Sequence, residues 1–372
     1  MEHTPEPQPN PADSISDLRR HIDEVDIQIL DLVNRRANLA QQIGHRKAAE
    51  SGQDEPPRPI YVPEREKAVF QRLLDRNRGP LDNNAVRSIY REIISACRAL
   101  EKPLRVAYYG PPATYTHMAA MLKFGGSTQF VPQRVIREVI QAVETGQADY
   151  GVVPVENSTA GVVESTLDVF AGTDVKVCSE IYVPIHHNLL SKAQRLDSIE
   201  RLYTHPQATA QCRGWLSVHM PHAEIIEATS TAQGATQAAQ DPTAGTIASR
   251  AAADEYGLNI LSENIEDNPR NRTRFLVVGM NRPERTGHDK TSLMLSVKHE
   301  SGALYRALSA FDRHAINMTM IESRPTKQTP WEYLFFIDVQ GYATDLPLAA
   351  AIAELEAHSL FVRILGSYPE AE

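Results

Sequence analysis

Residues Gly151 to Ser158 read GVVPVENS, an apolar strand that runs directly into a carboxylate, an amide and a hydroxyl. In open α/β sheets ligands bind outside the carboxyl ends of the strands, so this junction predicts a site with Glu156, Asn157 and Ser158 aimed into a crevice. A second junction, Asn271-Arg272-Thr273-Arg274, opens the apolar run Phe275-Leu276-Val277-Val278. A third, Thr204-His205-Pro206-Gln207 with Gln211, follows a short apolar stretch. Taken singly, Glu156 reads as a helix cap and Arg274 as a surface charge. Three such junctions in one chain point to an enzyme.

Around these junctions short apolar strands alternate with helices. They run through LRVAYYG, a helix over Met118 to Phe124, ADYGVVPVE, the run Tyr182 to Leu190, strands at Ile199 to Thr204 and Ile225-Ile226, then TIASRAAADEYGL and TRFLVVG. This is an α/β pattern, and the chain's return predicts two lobes with a cleft between them. The segments YYGPPATYTHMAA, VVPVENST, THPQATAQC and NIEDNPRNRTRFLVVG resemble the prephenate dehydratases, over about Leu104 to Gly279. That resemblance implies loss of carbon dioxide and hydroxide from prephenate to give phenylpyruvate, with no metal and no cofactor. It places Thr273 at the departing hydroxyl, supported by Glu156, Asn157, Thr204 and Gln211. A threonine hydroxyl is a poor acid, so Thr273 is read as a hydrogen-bond donor with His205 or a water behind it. Arg274 stays open between a substrate carboxylate and a structural salt bridge. Ala113 stands where the opening loop usually has glycine, so a positive φ there would require the loop to shift. No HExxH, phosphate loop or GxGxxG fingerprint points to a different reaction.

From Ile15 to about Lys47 the residues Ile15, Leu18, Ile22, Val25, Ile29, Leu32, Leu39 and Ile43 keep the three-and-four spacing of a heptad seam. The pattern predicts a long helix that packs on other helices. A second helix begins at Pro63 and stops at Gly79-Pro80, and a third runs from about Asp82 to Glu101. Within the seam Arg36 stands where a hydrophobe is expected, and an unpaired charge buried there would cost several kcal/mol. Lys47 follows eleven residues later, on the same face. Cys97 and Glu101 share the apolar stripe of the third helix with Tyr90 and Ile93, while Arg65 and Glu66 sit in the first turn of the second. A cationic cavity among apolar helices suits a small dicarboxylate, because arginine binds carboxylates bidentately. The alternative is a coiled-coil dimerisation module in which Arg36 snorkels to solvent.

The stretches LRRHIDEVDIQILDLVNRRANLAQQIGHRK, PERE and IYREIISACRALE resemble the all-helical chorismate mutases. The resemblance implies a pericyclic rearrangement of chorismate to prephenate. Arg36 and Arg19 then hold the two carboxylates, Lys47 bonds the ether oxygen, and Arg65 and Glu66 line the pocket and contact the substrate hydroxyl. Arg19 lies seventeen residues before Arg36, about 100° around the helix, so one helix cannot aim both inward. In the family the first helix is exchanged across a dimer, which sends Arg19 into the partner's pocket. Val62 stands where a carboxylate often precedes the arginine helix, and Glu101 where many relatives have glutamine. Only a protonated Glu101 can donate to the ether oxygen, so the mutase is expected to favour mildly acidic conditions.

After a linker at Asn281 to Asp289, the strands TSLMLSVK, INMTMIES, EYLFFIDV and FVRILGS and the helices Gly302 to His314 and Leu348 to Ala357 give βαββαβ. With Gly302-Ala303-Leu304 and Glu322-Ser323-Arg324-Pro325, this segment resembles the ACT regulatory domain. In the dehydratases these two motifs face each other across a dimer interface and hold phenylalanine. Ser301 replaces the usual proline before the first motif. A purely structural ferredoxin-like domain is the alternative.

The chain has 372 residues and a net charge of −9. It carries no basic patch interleaved with aromatics, which excludes nucleic acid as a partner. Three cysteines in no CxxC spacing exclude a disulfide framework and a zinc site and fit a reducing cytoplasm. The start, MEHTPEPQPNPAD, reads as a disordered tail, and no segment has the length of a membrane span. The expected architecture is multidomain, after a tail over 1–13. It has an all-α helical domain over 14–103, a two-lobed α/β domain with a central cleft over 104–281, and an α+β domain over 290–368. Together the resemblances imply a homodimeric or larger enzyme of phenylalanine biosynthesis, acting on chorismate and prephenate and inhibited by L-phenylalanine. An arogenate dehydratase and a non-catalytic amino-acid-sensing protein are the alternatives.

Overall fold

A computed structural model describes residues 14–50, 59–326 and 332–371, the side chain of Ala48 excepted. The expected tail over 1–13 lies outside them. The first domain is three helices, α1 (Ile15–Glu50), α2 (Pro63–Arg76) and α3 (Asn83–Glu101). Ser14 starts α1 by accepting the Asp17 amide at 3.2 Å, and Asp82 starts α3 by accepting the Ala85 amide at 2.7 Å. The 36 residues of α1 extend about 54 Å. This helix meets α3 at Gly44 and Lys47, while Ile22, Val25, Ile29 and Leu32 are 50–63 % exposed.

The second domain begins with β1 (Arg105–Tyr109), α4 (Tyr115–Phe124), β2 (Gln129–Gln133), α5 (Ile136–Glu144), β3 (Tyr150–Asn157), β4 (Gly161–Val162), α6 (Glu164–Phe170) and β5 (Lys176–Pro184). Its second lobe contains β6 (Asn188–Ser191), β7 (Arg201–Thr204), α7 (Pro206–Gln211), α8 (Arg213–His219), β8 (Glu224–Glu227), α9 (Thr231–Ala238), β9 (Ala244–Ala248), α10 (Arg250–Tyr256) and β10 (Asn259–Ser262). The chain then returns as β11 (Arg272–Gly279). The first lobe's sheet has the order β2-β1-β3-β11-β5 with β4 on β3, and the second lobe's is β10-β6-β9-β7-β8. β1 lies parallel to β3, whereas β11 is antiparallel to both β3 and β5. The expected run over Tyr182 to Leu190 is two strands, because β5 ends at Pro184 and His186-His187 carries the chain between lobes. Pro132 places β2 at the sheet edge, where its missing N–H costs no ladder bond.

The third domain is β12 (Asp289–Ser296), α11 (Ala303–Arg313), β13 (Met318–Pro325), β14 (Tyr333–Gln340), α12 (Leu346–Ala357) and β15 (Phe361–Pro369). The expected βαββαβ order is borne out, in an antiparallel sheet β13-β14-β12-β15. One face of that sheet shares a core with the first lobe, where Met294, Phe336, Leu365 and Tyr368 meet Val155, Val177 and Leu276. The approach is so close at Gly366 that a Cβ would lie 2.1 Å from the Val177 carbonyl oxygen, which only glycine permits. Ala113 adopts φ +62°, with its amide donating to His117 Nδ1 at 3.2 Å. The loop therefore holds the left-handed conformation that glycine usually supplies there, at a cost of about 1–2 kcal/mol.

No described helix is long and apolar enough to cross a membrane. Among the described residues no cluster of three or more histidine, cysteine or acidic side chains could hold a metal ion. Cys97, Cys178 and Cys212 are free and buried.

Candidate active site

The helical domain contains a cavity of about 610 Å³ lined by Arg36 and Lys47 of α1, Val62, Arg65 and Glu66 around the start of α2, and Cys97, Arg98 and Glu101 of α3. The spacing of Arg36 and Lys47 thus does place both on one interior face. Lys47 Nζ lies 3.6 Å from Glu101 Oε1. Glu101 packs over Gly44, where a Cβ would come within 2.6 Å of Glu101 Cγ and push that side chain aside. Arg36 and Arg65 have no carboxylate partner among the described residues. Arg19 is exposed and lines no part of this cavity. Val62 precedes α2 without capping it. Sequence reasoning missed Arg98, a buried guanidinium that bonds Glu66 at 3.1 Å. Its position on the inner stripe of α3, beside Cys97, was the available signal.

Between the lobes, a directed series of hydrogen bonds converges on Thr273. His187 Nε2 lies 2.7 Å from Gln211 Oε1, so that nitrogen carries the proton. Burial holds the His187 pKa below the usual histidine value despite Gln211 and Glu266, which leaves the ring neutral. Gln211 Nε2 then donates to Thr159 Oγ1 at 3.1 Å, and Thr159 Oγ1 donates to Asn157 Oδ1 at 2.7 Å. Asn157 Nδ2 donates to Thr273 Oγ1 and to Asn271 Oδ1, both at 2.8 Å. Thr273 therefore receives a hydrogen bond and keeps its own hydrogen for another acceptor. Asn271 is 1 % exposed, and its Nδ2 meets no protein acceptor among the described residues. An adjoining cavity of about 350 Å³ is lined by Thr159, Gln211, Glu266 and Asn271. Asn271 was named only as the first residue of the NRTR junction, with no role of its own, and His187 was not singled out. Both sit where the chain crosses between lobes, and the polar stretch HH between strands was the available signal for His187.

Other expected members stand elsewhere. Glu156 pairs across the ladder with Arg274, whereas Asn157 pairs with Thr273. Successive residues of a strand face opposite sides, so Glu156 projects away from the Thr273 cluster. It lines a separate cavity of about 360 Å³ with Ser158, Arg270 and Arg272. Ser158 is exposed at the margin of the cluster, where it accepts the Arg272 amide at 3.0 Å and donates to Asn271 Oδ1 at 3.4 Å. Thr204 is fully buried at the end of β7. His205 caps α7 by accepting the Gln207 amide at 3.2 Å, so the histidine behind the cluster is His187 instead.

Arg274 is a structural hub. Its Nε donates to Glu180 at 2.7 Å, Nη1 to Asp338 of the third domain, and Nη2 to the Tyr368 hydroxyl at 3.0 Å. Burial raises the Glu180 carboxyl, and the charges of Arg274 and Lys290 outweigh it, holding its pKa below the ordinary range. In the third domain Gly302, at φ +74°, starts α11 ahead of buried Ala303 and half-buried Leu304. Glu322 to Pro325 lie on the edge strand β13 with Ser323 outward. Arg324 is committed to the two-lobed domain through Asp168 at 3.0 Å and Glu164 at 2.9 Å, which leaves it no free guanidinium for an effector.

Family models match in the same order along the chain. Chorismate mutase type II covers residues 18–102, prephenate dehydratase 106–283 and the ACT domain 291–357. A bifunctional chorismate mutase/prephenate dehydratase of Aquifex aeolicus is 46 % identical, over 96 % of this chain and 99 % of its own. The chain belongs to the bifunctional chorismate mutase/prephenate dehydratase family. A relative of the same description from Stutzerimonas stutzeri is 42 % identical, over 97 % of this chain and 99 % of its own. The crystal structure of prephenate dehydratase from Arthrobacter aurescens in complex with L-Phe is 37 % identical, with a TM-score of 0.67, over 72 % of this chain and 90 % of that one. This chain is therefore an enzyme of phenylalanine biosynthesis that rearranges chorismate to prephenate and converts prephenate to phenylpyruvate, and it carries an ACT regulatory domain. The alternatives of a bare dimerisation helix and a non-catalytic sensor are set aside.

Proposed function

We propose that chorismate reacts in the helical cavity and prephenate in the interlobe cleft, with L-phenylalanine read by the ACT domain. In the cavity Arg36 and Arg65 lack carboxylate partners among the described residues, and a dicarboxylate substrate supplies them. Lys47 donates to the ether oxygen as its bond breaks, where charge develops in the transition state, with Glu101 on the same wall as the position of a second donor. Glu66 and Cys97 shape the wall. The exposed apolar stripe of α1 supports pairing with a second copy, whose Arg19 completes the cavity.

In the cleft the bond to the ring carboxylate breaks and its electron pair enters the ring. The carbon–oxygen bond breaks in turn, and the oxygen leaves as hydroxide, which takes a proton from solvent. Thr273 donates a hydrogen bond to that oxygen. The observation that carries this role is the Asn157 donor 2.8 Å from Thr273 Oγ1, which turns the threonine hydrogen outward. Thr273→Val keeps the shape and removes the donor, so phenylpyruvate formation is expected to fall about 10²–10³-fold. Prephenate then accumulates from chorismate. Turnover of prephenate within a few-fold of the parent would reject the assignment.

The domains divide at 14–103, 104–281 and 290–368. Phenylalanine binds where Gly302-Ala303-Leu304 of one copy faces Glu322-Ser323 of another, and Pro325 ends that strand. It lowers dehydratase activity by preferring one state of the cleft. The L-Phe in the Arthrobacter aurescens structure supports this reading. Glu322→Ala and Leu304→Asp are expected to relieve inhibition and leave uninhibited turnover intact. Three buried free thiols fit a cytoplasmic setting.

A further inference from the structure

We infer that Arg98 is a positioning residue of the mutase, holding Glu66 on the cavity wall while it is itself held by the dehydratase domain. The inference rests on the reading of the helical cavity as the mutase site. Arg98 lies in the penultimate stretch of α3 and is 8 % exposed. A guanidinium that deep must satisfy both its charge and its N–H groups. Nη1 donates to Glu66 Oε2 at 3.1 Å, and Nη2 donates to the backbone carbonyl of Phe124 at 2.6 Å. Its carbon ζ stands 5.5 Å from the Tyr61 ring and 5.8 Å from the Phe124 ring, close enough for cation–π attraction.

The two ends of this arginine belong to different enzymes. Glu66 is in α2 of the mutase, whereas Phe124 ends α4 and is packed in the dehydratase core with Val106, Tyr150, Val152 and Phe275. Tyr61 crosses the same boundary, meeting the Phe124 ring edge-on at 4.9 Å and the Tyr150 ring at 5.2 Å. The Tyr150 hydroxyl donates to the Tyr61 carbonyl at 3.0 Å. At Gly125, just past α4, a Cβ would come within 2.5 Å of Ser95 Cβ, so the end of α4 presses directly on α3. The Phe124 carbonyl is thus fixed by the dehydratase core, and it fixes Arg98. Both Arg98 and Glu66 line the 610 Å³ cavity. Without Arg98, the Glu66 carboxylate, 14 % exposed, loses its ion pair and its reason to stay on the wall. One wall of the mutase site is therefore completed by the neighbouring enzyme.

The test is a double-mutant cycle in the full-length protein, on conversion of chorismate to prephenate, with turnover of added prephenate as the control. Glu66→Gln and Arg98→Met are each expected to lower mutase kcat/KM about ten- to a hundredfold, as misplacement near a reacting centre does. The double variant is expected to be no worse than the poorer single one, because both changes remove the same positioned carboxylate. Arg98→Lys keeps the charge and one donor, and is expected to recover part of the loss. Prephenate turnover stays within about twofold of the parent in all four proteins, since none of these residues lies in the cleft. Losses that multiply in the double variant show a mere staple and overturn the inference. So does an Arg98→Met protein with unchanged mutase activity while Glu66→Gln is impaired. If Glu66→Gln itself is silent, the role proposed for Glu66 fails and this inference falls with it. Should Arg98→Met lose prephenate turnover as well, Arg98→Lys replaces it in the cycle, and failure of Arg98→Lys to affect the mutase overturns the inference.

Discussion

Replacing Arg274 with methionine separates a structural hub from a substrate ligand. The buried cluster of Arg274, Lys290, Glu180 and Asp338 is neutral as built, and none of the four side chains is more than 5 % exposed. Methionine fills the volume of the arginine stem and removes its charge. Glu180 still has Lys290 at 2.9 Å and the Ala371 amide at 3.1 Å. Among the described residues Asp338 keeps only the Ser292 hydroxyl, so its carboxylate is left unmatched. Breaking a buried pair in this way costs about 3–5 kcal/mol. At about 2–4 °C per kcal/mol for a unit of this size, the melting temperature falls by roughly 6–20 °C. Asp338→Asn added to Arg274→Met restores neutrality and is expected to recover about half of that loss or more. The assay is calorimetric melting of the parent and both variants at neutral pH, beside prephenate turnover at a temperature where all are folded. The Glu180 pKa is depressed in the folded state, so its contribution is full above the unfolded carboxylate value. It is lost as pH falls through the folded value. Removing Arg274 raises that folded value, and the methionine variant therefore loses stability at a higher pH than the parent. A methionine variant that melts with the parent but shows a raised KM for prephenate would refute the structural assignment.

Three further outcomes follow from single distances. Asn271→Asp keeps the oxygen that accepts from Asn157 and removes the buried Nδ2 that no acceptor among the described residues meets. Prephenate turnover is expected to drop about 10²-fold with mutase activity unchanged, and full retention shows that this nitrogen serves no substrate. Gly44→Ala places a methyl 2.6 Å from Glu101 Cγ while improving helix propensity by about 1 kcal/mol. Mutase turnover is expected to fall without loss of melting temperature, and an undiminished rate counts against any role for Glu101. Glu101→Gln places an amide donor at that position, so mutase turnover is expected to be kept or raised. A fall of about tenfold or more disposes of the donor role.

Much of this protein is local and therefore legible in its sequence. The heptad spacing from Ile15 to Ile43 predicts a long helix, and the inward placement of Arg36 and Lys47 follows from 3.6 residues per turn. The βαββαβ order of the last domain follows from alternation between strand and helix periods. Junctions such as VENS and NRTR mark where a strand meets a site, because apolar strands end abruptly in polar side chains only where something polar is to be met. Which way each side chain turns was not legible. Glu156 and Asn157 are neighbours in sequence and so face opposite sides of the sheet, but which of them meets Thr273 is set by the strand register, which shifts between Arg274 and Phe275. From its place beside Thr273, Arg274 stayed open between a ligand and a salt bridge. Its partners, Glu180 and Asp338, are 94 and 64 residues away. The histidine behind the cluster is His187 and not His205, because only the crossing between lobes brings it to Gln211. Arg98 matters only because Phe124, 26 residues on, folds beneath it. Periodicity and capping act within a few turns and can be read from the chain, whereas ion pairs and hydrogen bonds between distant segments exist only once packing has brought those segments together.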